Sequence, residues 1–257
     1  MVFAEFSTLR KEAMRTPALI LALLTTGLAL GQARKEPVKE APVVPPREGK
    51  SETIELFDGK TLDGWEGYKE LWSVKEGMIV AKNTKPLAIS TYLLTKKKFS
   101  DFRLTFSAKL VESEMHSGVA FWGEIAPTRG DPFTFKGHLV MFPSGWGMYD
   151  LYGRAGLLVD NKPALKINKQ HDWNDIEIFA QGNRVRVVGN GVLVVDWRDP
   201  EPDRIKESPI GLQLHSNQVA QEVQFKGLVL TTFPDATRVF NKKVGDMIDP
   251  PEPKKEK

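Results

Sequence analysis

The chain has no cysteine. Disulfides are therefore excluded, and so is a lipid-modified cysteine at an export cleavage site. A dominant charge is missing too, since 36 Lys and Arg stand against 33 Asp and Glu for a formal +3. The basic residues are scattered rather than aligned with stacking aromatics, which argues against nucleic acid as a partner. No helix-period segment, internal repeat, Rossmann or P-loop glycine pattern interrupts the chain. His116, His138, His171 and His215 lie far apart, with no H-x-x-x-H pair or zinc-type spacing, so neither a metal nor any other cofactor is expected.

An apolar run long enough for a membrane span is also lacking. Ala18 to Leu30 follows Arg10, Lys11 and Arg15 and leads into Gly31-Gln32-Ala33, which has the small residues of a cleavage site. Residues 1–33 thus read as a secretory signal peptide, with Met14 able to open a compact signal by itself. The expected location is periplasmic or secreted, with no stable membrane span after cleavage. Residues 34–51, with Lys35-Glu36-Pro37, Pro42 and Pro45-Pro46, read as a charged, Pro-rich linker. Residues 234–257 read as a largely disordered tail. Between them, residues 52–233 are long enough for one domain with a sizeable core.

Within that domain the hydrophobic period is two. Phe102, Leu104, Phe106, Ala108 and Leu110 alternate with Arg103, Thr105, Ser107 and Lys109, the pattern of a half-buried strand. Similar alternation runs through Ile176 and Ile178, Val185 and Val187, Val192 and Val194, and Ile210, Leu212 and Leu214. Turn signals separate these runs at Gln181-Gly182-Asn183 and Gly189-Asn190-Gly191, the second a type I′ hairpin signal. Many short strands without helices predict an all-β fold, an antiparallel β-sandwich or jelly roll.

The segment Leu56-Phe57-Asp58-Gly59-Lys60-Thr61-Leu62-Asp63-Gly64-Trp65 joins a strand end, two glycine turns and a tryptophan. Trp72-Ser73-Val74-Lys75-Glu76-Gly77-Met78-Ile79-Val80 follows, and then Asp101 to Phe106, Ser117-Gly118-Val119, Leu151-Tyr152-Gly153-Arg154, Trp173-Asn174, Gly182-Asn183, Asn190-Gly191 and Gly211-Leu212-Gln213-Leu214-His215. In this order, over residues 54–233, the motifs resemble the 3-keto-disaccharide hydrolase domain family, secreted β-sandwiches of the concanavalin A-like class. The resemblance implies action on glycosides already oxidised at C3, by elimination and hydration, with an oxidised carbohydrate as partner. It also exposes a departure. Family members often carry Gln and Arg where this chain has Ala120 and Trp122, and acidic and amide residues where it has Leu139 and Met141.

Alternation nominates the polar residues that remain. Asp150, Tyr152 and Arg154 fall on one side of a regular strand, a carboxylate, a phenol and a guanidinium suited to sugar hydroxyls. Gln213 and His215 lie opposite Leu212 and Leu214. For the reaction that the resemblance implies, the expected catalytic residues are His215 as acid or base, Arg154 as a clamp on an enolate or hydroxyl, and Asp150 as an orienting group; Gln213 and Tyr152 are expected to bind substrate. Trp122 and Trp146 are candidate stacking platforms, the latter in the loop Pro143-Ser144-Gly145-Trp146-Gly147. Two other classes compete with the enzyme: a non-catalytic carbohydrate-binding sandwich and an envelope structural module, both favoured by the apolar replacements.

Overall fold

The computed structural model describes residues 40–153, 156–160, 166–235, 239–241 and 246–248, all within the unit Lys39–Lys257. In chain order the strands are β1 Thr53–Glu55, β2 Trp65–Glu66, β3 Trp72–Lys75, β4 Met78–Asn83, β5 Thr91–Thr95, β6 Phe102–Glu112, β7 Ser117–Ile125 and β8 Phe135–Phe142. There follow β9 Gly147–Asp150, β10 Leu157–Asp160, β11 Asn174–Gln181, β12 Arg184–Gly189, β13 Val192–Arg198, β14 Gly211–Leu214, β15 Gln221–Thr232, β16 Val239–Asn241 and β17 Asp246–Ile248. They form an antiparallel β-sandwich. One sheet runs β13-β12-β11-β6-β15-β4-β3 with β1 added to β15, and the other runs β10-β9-β8-β7-β14-β5-β2. In the C-terminal segment, where composition suggests an irregular tail, β16 pairs antiparallel with β17.

The alternation in β6 is realised residue by residue. Phe102, Leu104, Phe106, Ala108 and Leu110 are buried while the intervening side chains are only half-buried. Phe106 meets Phe142 of the opposite sheet at 5.6 Å between ring centroids and Phe225 of its own sheet at 6.3 Å, so aromatic contacts join the two layers. The turns behave as their residues predict. Asn190 and Gly191 both take positive φ, 48° and 81°, and connect β12 to β13 as a type I′ turn does.

One strand breaks its pattern. Regular alternation in β7 predicts Trp122 on the same face as Ala120, but a bulge lies between Phe121 and Glu124 and Trp122 takes a φ of 50°. Gly123 makes this crossing possible: a Cβ there would lie 2.0 Å from the Lys136 carbonyl oxygen. The bulge turns Trp122 into the main core beside Phe121.

Residues read as a linker are in part tied to the sandwich. Asp101, almost fully buried, accepts hydrogen bonds from Arg47 N at 2.7 Å, Arg47 Nη1 at 2.5 Å and Gly182 N at 2.9 Å. Buried Asn183 donates from Nδ2 to the Pro42 carbonyl at 2.7 Å and accepts from Val44 N at 3.1 Å. Composition does not reveal such ties, because backbone groups make most of them.

Candidate functional site

The outer face of the β10-β9-β8-β7-β14-β5-β2 sheet carries a concavity of about 490 Å³. Strand β14 reaches it by plain alternation: Leu212 and Leu214 enter the main core, while Gln213 and His215 line the concavity. Strand β14 pairs with β7 at Gly211–Ala120 and Leu212–Val119. Continued past the strand end, that register brings His215 opposite His116. Their rings lie 4.4 Å apart at an interplanar angle of 65°. Sequence reasoning missed His116 as a site residue. Its signal was present, since alternation back from Ala120 through Gly118 leads to His116, but only the strand pairing supplies its partner.

Both imidazoles are held as bases. Burial, with His215 adding a smaller electrostatic effect, lowers the His116 pKa from the ordinary 6.5 to about 4. Burial also lowers that of His215, opposed in part by its bond to the Ser216 carbonyl. That bond, 2.5 Å from Nδ1 to the Ser216 oxygen, needs a proton on Nδ1, because a carbonyl only accepts. Nε2 is therefore the acceptor of the neutral His215 ring. The turn is anchored around it: Ser216 N donates to Ser90 Oγ at 3.0 Å, Asn217 Nδ2 to Ser113 Oγ at 2.9 Å, and Gln221 Nε2 to the His215 carbonyl. Gln213, 3% exposed, donates from Nε2 to Tyr92 Oη at 3.1 Å, and its Oε1 has no donor among the described residues. Burial raises the Tyr92 phenol pKa, so it stays a neutral hydroxyl.

Away from the histidines this face is apolar. Leu94, Ala120, Phe135 and Leu139 belong to a buried cluster, separate from the main core, that reaches back through Tyr92 and Met141 to the level of Gln213, with Phe133 and Leu151 packed against it. Ala120, Leu139 and Met141, three of the four positions that depart from the family pattern, thus lie on this face as alternation predicts.

The remaining expected residues do not join His215. Asp150 pairs in register with His138, is buried, and does not line the concavity; its Oδ1 accepts from Tyr152 N at 3.1 Å. The Tyr152 hydroxyl lies 2.8 Å from the Trp122 carbonyl oxygen and 2.7 Å from that of Arg204, and its ring is 5.6 Å from that of His138. His138 in turn contacts Asp199 through Nε2, both fully buried. Buried Asp150 and half-buried Tyr152 therefore belong to a cluster on the core side of the sheet. Arg154 lies outside the described residues. Trp122 and Trp146 are 0% exposed. Trp122 donates its indole N–H to the Ser100 carbonyl at 2.6 Å, and Trp146 packs on Phe142 and over Gly189. Neither can serve as an open stacking platform. Among the described residues no three His, Cys, Asp or Glu side chains gather as a metal site would require.

Comparison with known proteins follows the same outline. The 3-keto-alpha-glucoside-1,2-lyase-like domain, as a family model, matches residues 52–231. No curated protein matches the chain. Among solved structures, a protein of Parabacteroides distasonis ATCC 8503 with a provisional name of glycosyl hydrolase is 18% identical, with 71% of this chain and 94% of that one covered at a TM-score of 0.50. A native glycosidic hydrolase is 10% identical over 76% of this chain and 99% of its own, with a TM-score of 0.52. A Bacillus subtilis protein of unknown function with a galectin-like fold is 12% identical over 73% and 99%, with a TM-score of 0.53. At these identities the likeness is one of fold.

Proposed function

The chain belongs to the 3-keto-alpha-glucoside-1,2-lyase-like domain family, a family of carbohydrate-active β-sandwiches, and from that premise we propose that it cleaves C3-oxidised glycosides at the concavity holding His215 and His116. The observation that carries this reading is the paired, neutral imidazoles, one with its tautomer set by Ser216. A ketone at C3 acidifies the C2 proton. His215 Nε2 takes that proton, the C1–oxygen bond breaks, and the departing oxygen receives a proton as the aglycone leaves; water then adds at C1 while C2 regains a proton. His116 contributes a neutral ring whose N–H can donate to an oxygen of the substrate. Gln213 and Tyr92 form the polar floor beneath. Asp150, on the core side, has a structural role in this scheme. The N-terminal signal pattern supports a reaction outside the cytoplasm, which N-terminal sequencing of the protein recovered from each cell fraction would test.

The apolar cluster around Leu139 favours a second reading, a binding module without turnover. Release of aglycone from 3-keto-glucosides and from their unoxidised parents separates the two. The enzyme cleaves keto forms alone, and His215→Ala slows it by about 10² or more, the usual worth of one general base. Affinity without turnover, or turnover indifferent to His215→Ala, would overturn the assignment.

A further inference from the structure

We infer, resting on the proposed reaction, that the aglycone accepted here is a flat aromatic group rather than a second sugar. The concavity is chemically two-ended. His116, His215 and Gln213 lie at one end, with Ser90 and Ser216 beside them. Along β7, at about 3.3 Å per residue, Ala120 is about 13 Å beyond His116. That is roughly twice the width of one sugar ring, so a glucosyl unit at the histidines leaves a second compartment of similar length.

That compartment is walled by Leu139, Phe135, Leu151 and Tyr149, the last 37% exposed and so able to offer a ring surface. The threonine hydroxyls nearby already have their protons engaged: Thr128 Oγ1 donates to the Ala126 carbonyl at 2.8 Å, and Thr134 Oγ1 donates to the same oxygen. Arg129 lines the rim, and a planar guanidinium stacks well on an aromatic face. A second sugar would give up water from several hydroxyls against Leu139, Phe135 and Leu151, with donors in return only from Tyr149 and Arg129, whereas a phenyl ring loses nothing of the kind. A volume of about 490 Å³ suits a monosaccharide with one ring attached.

The test measures binding and turnover separately, with the whole mature chain. Calorimetry compares unoxidised phenyl glucosides of both anomeric configurations with glucose disaccharides, and kcat/KM is measured for the 3-keto forms of each. Phenyl glucosides should bind about tenfold or more tightly, the range over which an apolar pocket discriminates. Leu139→Gln should lower phenyl glucoside affinity severalfold and leave disaccharide affinity unchanged or improved. If that variant fails to fold, Tyr149→Ser replaces a half-exposed side chain and should act in the same direction. Cleavage of keto-disaccharides with no preference for aryl substrates would overturn the aglycone inference and leave the reaction standing. Aryl affinity without turnover would uphold the inference and overturn the reaction. Affinity for neither ligand class together with turnover of none of the keto forms would overturn both.

Discussion

His215 and His116 are both uncharged at neutral pH, because the concavity around them removes water that an imidazolium needs. A base of this kind stays active into mild acid. The acid limb of kcat/KM should therefore fall below the ordinary histidine value of 6.5, and His116→Ala, by admitting water to His215, should move it upward. A wild-type limb at or above 6.5 would exclude His215 as the base. Trp122 gives a different residue-scale expectation. Fully buried and bonded to the Ser100 carbonyl, it should cost about 3–5 kcal/mol on replacement by alanine, read by urea unfolding. Trp122→Phe should keep the fold and leave glycoside affinity unaltered; a loss of affinity would return the residue to the site. Alternation assigns Ala120 to the outer face correctly and Trp122 wrongly, since the side-chain period carries no sign of a bulge.

Among the elements, β14 was the most legible: Gln213 and His215 oppose the apolar pair as their spacing requires. The strand after β8 was the least. Asp150, Tyr152 and Arg154 read as one regular face, yet β9 ends at Asp150, and Tyr152 lies in the turn beyond it. The segment at 42–47 has a consequence for truncation. A chain beginning at Glu40 retains the bonds from Arg47 to the buried Asp101 carboxylate and those from Asn183 to Pro42 and Val44. A chain beginning at Lys50 loses them. Bonds to a charged group contribute about 1.5–3 kcal/mol each, so the shorter chain should be less stable by about 2–4 kcal/mol after partial replacement by water. Equal denaturant midpoints for the two chains would show that the arm is dispensable.

For the whole molecule the same histidines couple function to stability. The folded pKa of His116, about 4, is below its unfolded value near 6.5. The unfolded chain therefore binds the proton first as pH falls, and stability present above about 6.5 is lost progressively toward 4. His215 acts with the same sign. His171 has the opposite sign, its pKa raised chiefly by the bond to Glu114, but it is well exposed and so offsets little. Thermal unfolding should show a melting temperature that declines across this window, and His116→Asn should flatten the decline. A melting temperature constant from 6.5 to 4 in the unaltered protein would contradict the buried, neutral state of His116.

Local chemistry alone determined the fold class, the main hairpins and the outward direction of Gln213 and His215. Strand period and turn residues act over a few neighbours, and the family motifs are themselves local strings. The meeting of His215 with His116, the separation of Asp150 from both, the burial of Trp122 and Trp146 and the two-ended concavity were decided only in the tertiary structure. Each depends on which strand lies beside which and on where one bulge falls, and those are set by long-range packing of the two sheets.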